Sequence, residues 1–253
     1  MLDKIFNFLG GRTEEPSSLT DFSLMAVDLH SHLIPGIDDG VRTIQDSLDA
    51  LRQFQRLGFK KVITTPHVMA DGFNNTSETI LSGRDKVREA IRQSDIQIEF
   101  DVGAEYYLDE TMYEKVEKKN LLAIGKEYVL VELSFFAAAN NTFDLVYKMQ
   151  VAGYNVILAH PERYPYYYEK NFEKYNSLKD HGIFFQINLM SLIGKYGERA
   201  KAIAEKLIDE RMVEFVGSDL HGPKHFQFIR ATLKEKYLEK ILTSEALLNK
   251  TLL

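Results

Sequence analysis

Short, almost continuously apolar runs alternate along the chain with longer segments whose apolar residues recur every three or four positions. Seven runs read as strands: LMAVDLH (24–30), KVITTPH (61–67), IEFDVGAE (98–105), YVLVEL (128–133), NVILAHP (155–161), IFFQINL (183–189) and VEFVGSD (213–219). Runs this short and this uniformly apolar suit strands covered on both faces. Between them, QDSLDALRQFQRLG puts Leu48, Leu51, Phe54 and Leu57 on one helical face, and FDLVYKMQVAG and RAKAIAEKLIDERM repeat the pattern. Gly58, Gly153 and Gly182 each stand between a helical stretch and a strand, where glycine takes the left-handed conformation that ends a helix at no steric cost. The alternation predicts parallel βα units, closed into a barrel or left open as a doubly wound sheet. No internal boundary divides it. The tail TSEALLNKTLL predicts a terminal helix capped by Thr243 or Ser244. The first residues, MLDKIFNFLGGRTEEPSS, predict a short amphipathic helix and a linker. Residues 1–23 are thus expected to be an extension, packed on the main domain of 24–253 or making a peripheral membrane or partner contact.

Composition narrows the possible chemistry. The chain of 253 residues carries a net charge of −6, so no global basic field attracts nucleic acid or an anionic membrane. No apolar run is long enough to span a bilayer, and the N-terminus lacks the apolar core of a signal peptide. Cysteine is absent, which excludes disulfides, thiolate metal sites and a cysteine nucleophile, and agrees with a cytoplasmic location. Neither a G-x-G-x-x-G nor a P-loop motif appears, so nothing points to a nucleotide fold. A G-x-S-x-G elbow is missing as well. The pattern specifies no oligomeric state.

What stands at the strand ends changes the picture most. The first run ends in Asp28-Leu29-His30-Ser31-His32, the second in His67, the third in Glu105, the fourth in Glu132-Leu133, the fifth in His160-Pro161-Glu162-Arg163 and the seventh in Asp219-Leu220-His221. In parallel α/β folds the C-terminal edge is where ligands bind. His30 and His32, two apart on an extended strand, point to the same side, and Asp219 and His221 share the spacing. A lone histidine at a strand end is more often a hydrogen-bonded structural residue than a ligand. Here five of the seven histidines gather at such ends together with several acids, and burying those acids without cations is costly. The set predicts a polynuclear site for two or three divalent ions, with nitrogen and oxygen ligands suited to Mn²⁺, Fe, Zn²⁺ or Mg²⁺. Clustered cations of this kind clamp phosphate oxygens and activate water. Arg163, three residues after His160, could hold a phosphate. His181 reads as a helix C-terminal residue, and His225 lies near the site without a spacing argument. Tyr164, in the run Tyr164-Pro165-Tyr166-Tyr167-Tyr168, could stack on an aromatic substrate, although such runs more often pack a loop.

H-x-H followed by D-D-G, then T-P-H, G-x-E, a glutamate ending the fourth strand, H-P-E-R and S-D-x-H, in this order, resemble the polymerase-and-histidinol-phosphatase (PHP) superfamily. DLHSHLIPGIDDG, TTPHVM, VGAEYYL and AHPERY are most similar to its bacterial capsular-polysaccharide branch of metal-dependent protein-tyrosine phosphatases. The resemblance covers about residues 24 to 225. It implies a distorted (β/α)7 TIM-like barrel with the metal site at the C-terminal face. It further implies that His30, His32, Glu105 and Asp219 hold one ion, that Glu105, Glu132 and His160 hold a second, and that Asp39, His67 and His221 hold a third. Mn²⁺ is the metal it favours. Arg163, His160 and Asp219 become the expected catalytic residues, and Arg163 and Tyr164 the expected substrate contacts. Of the two acids in D-D-G, Asp39 is the ligand and Asp38 the weaker candidate. The implied substrate is phosphotyrosine in the tail of a tyrosine autokinase that controls polysaccharide synthesis and export. The alternative within the superfamily is a phosphoesterase acting on a small monoester such as histidinol phosphate. The extension before the first strand and the stretch VMADGFNNT (68–76), a possible lid, are left without a role.

Overall fold

The computed structural model describes residues 17–137, 139–168 and 171–253. The amphipathic helix expected at the N-terminus falls outside them. Among the described residues, nine strands, all paired in parallel, form two sheets. The strands are β1 Val27–Asp28, β2 Lys61–Thr64, β3 His67–Val68, β4 Glu99–Val102, β5 Glu105–Tyr107, β6 Tyr128–Glu132, β7 Asn155–Ala159, β8 Phe184–Asn188 and β9 Phe215–Gly217. One sheet has the order β1-β2-β4 and the other β3-β5-β6-β7-β8-β9. Eight α-helices of the described residues are interleaved: α1 Ile44–Arg56, α2 Ser77–Arg92, α3 Met112–Glu117, α4 Thr142–Val151, α5 Glu173–Asp180, α6 Glu198–Asp209, α7 Phe226–Thr232 and α8 Lys236–Leu242. No described helix is long and apolar enough to cross a membrane.

All seven expected strands are present, two of them as broken pairs. β2 and β3 are separated at Thr65-Pro66, and β4 and β5 at Gly103-Ala104. Proline has no N–H to give the ladder, and the chain leaves one sheet and enters the other there. Contact across the break survives: the Gly103 N–H donates to Thr64 O at 2.9 Å and the Glu105 N–H to Pro66 O at 3.0 Å. The first strand is shorter than expected because Ala26 sits at φ +63°, inside a turn in which the Met25 and Ala26 N–H groups both donate to Phe22 O. Phe22 is fully buried and stacks on Phe59 at 5.1 Å.

Gly58, Gly153 and Gly182 lie at φ +89°, +98° and +72°, one residue past the caps of α1, α4 and α5, as the sequence implied. The terminal helix does not form. Thr243 closes α8 and only a 3-10 turn, Asn249–Leu252, follows. Asn249 explains the difference. Its side chain accepts from the Val216 N–H at 3.0 Å and donates to Val27 O and Val216 O at 2.8 Å each, which ties the tail across the start of the first and last strands.

Strand residues divide between two apolar clusters. Val129, Val131, Val156, Leu158, Phe185, Ile187 and Val216 face the helices. Val27, Ile63, Leu130, Ile157 and Phe215 meet one another, with Leu252 and Ile124 among them. Burial on both faces is what the continuously apolar runs required. Two residues on from Leu130 and Phe215, the inner positions become Glu132 and, past Gly217, Asp219. The inner face therefore changes from apolar to ionisable toward the C-terminal ends of the strands.

Candidate metal centre

Every expected ligand reaches this C-terminal end. Glu105 is its centre, fully buried, with Oε2 at 3.2 Å from His30 Nε2, 3.2 Å from His67 Nδ1 and 3.5 Å from His32 Nε2. Its other oxygen is 3.2 Å from His160 Nε2, which in turn lies 3.5 Å from Glu132 Oε1. Asp219 Oδ1 sits 3.5 Å from His30 Nε2 and 3.4 Å from His221 Nδ1. Asp39, at the outer edge, is 3.3 Å from His221 Nε2 and 3.6 Å from His67 Nε2. Four overlapping groups have ligand atoms within 4.8 Å of one another: His32, Asp39, His67 and His221; His30, His32 and Glu105; His30, His160 and Asp219; His67, Glu105 and Glu132. His30, His32, His67 and Glu105 each belong to two of them, so the ligands are shared rather than parcelled out.

The backbone is bent to aim them. His160 and Asp219, each just past a strand, adopt left-handed φ of +36° and +50°. Such strain in non-glycine residues collects at functional sites. The His160 N–H donates to Gln186 O at 2.7 Å and the Asp219 N–H to His30 O at 2.8 Å, which holds both turns. Two glycines admit the H-x-H strand. A Cβ on Gly217 would lie 2.6 Å from His30 Cβ, and one on Gly40 would lie 2.2 Å from His32 O.

Outer residues fix which nitrogen faces inward for three of the imidazoles, His30, His32 and His221. Asp219 accepts from Asn188 Nδ2 at 2.7 Å, so Asn188 Oδ1 is turned to accept from Gln186 Nε2 at 2.9 Å. Gln186 Oε1 is then left to accept from His30 Nδ1 at 2.7 Å. An anion at one end of this relay thus sets the tautomer at the other and turns the His30 Nε2 lone pair into the cluster. Asp38 does the same for His32 through its Nδ1 at 2.8 Å. The Asp219 carbonyl does it for His221 at 3.0 Å. The two acids of D-D-G therefore divide the work: Asp39 faces the cluster and Asp38 orients a ligand.

Residues and cations fit each other here. His30 Nε2, His32 Nε2 and both Glu105 oxygens are buried and have no hydrogen-bond partner, which native proteins rarely tolerate. Burial penalises the charge of Glu105, yet His30 and His67 beside it hold its carboxyl well below the ordinary range. Burial, reinforced by the charges of Glu105 and Asp219, pushes Glu132 up to about 9. Burial also opposes protonation of His30, but Glu105 and Asp219 raise it to about 9. Burial and then Arg163 lower His160 to about 4. The carboxylates are thus tolerated by borrowing charge from imidazoles, and divalent cations would supply that charge while leaving the imidazoles neutral, as ligands must be.

The cluster floors an open cavity of about 400 Å³, walled by Phe135, Arg163, Tyr196 and His225. The Arg163 guanidinium lies 4.7 Å from the Phe135 ring and 4.2 Å from the Tyr196 ring, with one N–H on Asp219 at 3.0 Å. Tyr164 is not in the cavity. It is fully buried, its hydroxyl accepting from the Leu133 N–H at 3.0 Å and donating to Ala159 O at 3.1 Å. Its ring packs on His160 and Phe135, so it supports the wall from behind. The loop after His67 packs inward too, with Phe73 stacked on the His67 ring at 5.4 Å and Asn75 donating to His67 O at 2.8 Å.

Sequence reasoning missed Gln186, Asn188 and Glu162. Glu162 is fully buried between the Asn188 N–H at 2.9 Å and the Ser191 hydroxyl at 2.6 Å, and burial raises it to about 7. It pins the turn that carries His160 and Arg163. The signal for the two amides was their i, i+2 spacing in FQIN, the same spacing that marked H-x-H.

A family model described as "Capsular polysaccharide synthesis, CpsB/CapC" matches residues 26–247. The tyrosine-protein phosphatase YwqE of Bacillus subtilis is 29% identical over 203 residues, 80% of this chain and 80% of the relative. The tyrosine-protein phosphatase CpsB of Streptococcus pneumoniae is 27% identical over 221 residues, 83% of this chain and 90% of the relative. One solved structure, from work on YwqE and CpsB as unique metal-dependent tyrosine phosphatases, superposes with a TM-score of 0.78 at 29% identity. It covers 87% of this chain and 89% of that one. With its ordered histidines and acids converging on Glu105 and a family match over residues 26–247, this protein is a member of the CpsB/CapC capsular polysaccharide synthesis family.

Proposed function

We propose that this protein is a metal-dependent protein-tyrosine phosphatase. The observation that carries the reading is the convergence of nine ligand-type residues beside a half-buried arginine at the wall of an open cavity. His30, His32, Asp39, His67, Glu105, Glu132, His160, Asp219 and His221 hold the ions, two or three in number, with Mn²⁺ the preferred metal. Bound divalent ions supply charge neutralisation for a phosphate and a water acidic enough to act as nucleophile. Arg163 does what this chain can do alone. Asp219 takes one of its N–H groups, and the others are available to a phosphate oxygen. Phe135 and Tyr196 hold the guanidinium plane, so that little conformational freedom is lost on binding. Phe135 also offers the ester an apolar wall.

With this goes a reading of the two sheets as one distorted seven-stranded barrel. Its support is the parallel bridge between Ser31 and Leu220, with the His32 N–H donating to Leu220 O at 2.9 Å. The physiological substrate we propose is the phosphorylated tail of a tyrosine autokinase acting in capsule or exopolysaccharide synthesis, met by this protein in the cytoplasm. The names of the relatives and the absence of cysteine in this chain support it. The test is phosphate release by protein chelated and then reloaded with Mn²⁺, with a phosphotyrosyl peptide and histidinol phosphate side by side. Preference for the peptide, lost on chelation and restored by Mn²⁺, is expected. Preference for histidinol phosphate would replace the reading with a small-molecule phosphoesterase.

A further inference from the structure

We infer that the cavity continues into a second groove that binds an acidic stretch of the substrate chain next to the phosphotyrosine. The inference rests on the phosphatase reading and adds a subsite to it. The groove has a volume of about 440 Å³ and shares Asp39, His221 and His225 with the metal cavity, so a peptide seated in one runs on into the other. Its outer walls carry Arg42 and Lys224.

Both of these cations are exposed, and neither pairs with a carboxylate among the described residues. Elsewhere on the surface Arg52, Arg84 and Arg92 each pair with an acidic neighbour. The two carboxylates that also line the groove are already engaged. Asp39 faces His67 and His221, and Asp46 accepts from the Thr43 N–H at 3.0 Å and the Thr43 hydroxyl at 2.8 Å as part of the α1 capping box. With Asp39 turned to the imidazoles, the groove keeps two cations against the one carboxylate of Asp46, a positive balance on a protein whose net charge is −6. A local cationic wall on an acidic protein selects acidic partners at the rim, chiefly through encounter rate and affinity. A small monoester would be held in the metal cavity and would not reach these residues. The occupant that spans both spaces is a phosphotyrosyl segment with aspartate or glutamate beside the modified residue.

The experiment compares two phosphotyrosyl peptides that differ only in acidic or neutral flanking residues, with p-nitrophenyl phosphate as the small ester. Wild type and the double variant Arg42→Ala/Lys224→Ala are measured at low and high salt. For wild type the acidic peptide is expected to show a KM lower by roughly threefold to twentyfold, the range for two exposed charge pairs. That advantage should shrink with salt and vanish in the variant, with kcat and turnover of p-nitrophenyl phosphate unchanged. Equal KM values for both peptides in wild type, or a preference retained by the variant, overturns the inference. So does an equal loss on the small ester, because the cavity itself would then have changed. Phosphatidylserine vesicles captured through the same two residues, without peptide discrimination, would make the groove a membrane contact instead. Failure of wild type to hydrolyse either peptide while cleaving histidinol phosphate is a separate result, and it sinks the phosphatase reading itself.

Discussion

Asn249 and Glu105 are both fully buried polar residues, at opposite ends of the same strands, and they are treated in opposite ways. At the N-terminal end Asn249 makes three hydrogen bonds to backbone groups of the first and last strands. At the C-terminal end Glu105 has imidazoles at 3.2 Å on several sides and no hydrogen-bond partner for either oxygen. A polar group that only serves the fold is satisfied by the fold. One left unsatisfied, among others in the same state, is held for something that binds. The contrast separates structure from function without reference to any relative.

The comparison can be broken from the functional end first. Asp219→Ala removes a proposed ligand, the acceptor of Arg163 and the anchor of the Asn188–Gln186–His30 relay at once. Activity toward a phosphotyrosyl peptide should fall by about a thousandfold or more, as loss of metal-based charge stabilisation costs several kcal/mol. Full activity in steady-state assays of this variant would contradict the site. At the structural end, Asn249→Ala leaves three buried backbone groups unpaired and should lower stability by about 2–4 kcal/mol in urea unfolding. The activity of the molecules that remain folded should be unchanged. A variant as stable as the parent would mean that the tail does not tie the strands. A subtler probe is Gln186→Leu, which keeps every ligand and removes the relay. Mn²⁺ affinity should weaken by about tenfold to a hundredfold, the usual cost of losing an outer partner of a metal-binding histidine. Unaltered affinity in calorimetry would show that the tautomer of His30 is set in another way.

What could be read from the sequence follows the same division. Eight of the nine expected ligands were legible because they stand at the ends of apolar runs, where a charged residue has no structural reason to recur, whereas Asp39 came only from the resemblance of its D-D-G motif. Gln186 and Asn188 lie inside such a run as neutral amides, so their i, i+2 spacing was the one signal they carried, and it gains meaning only with the strand beside His30 and Asp219. The left-handed turns at His160 and Asp219 were equally hidden, since neither is glycine. Pro66 and Gly103 did carry the strand breaks, but the apolar runs around them masked the signal. The terminal helix is absent because Asn249, which nothing in the tail's sequence marks as buried, hydrogen-bonds to the strands and holds the tail in a tight turn. Tyr164 illustrates the ambiguity of tyrosine: both a stacking surface and a packing residue were written in it, and tertiary structure chose the second.

The most direct test of the central claim is a calorimetric titration of chelated protein with Mn²⁺, followed in the same samples by thermal unfolding. The account predicts binding of more than one ion per chain, a rise in Tm of roughly 5–10 °C at saturating metal, and loss of both effects in Glu105→Gln. Binding and stabilisation that survive in Glu105→Gln, or chelated wild type that neither takes up Mn²⁺ nor gains stability from it, would contradict a metal centre built on Glu105.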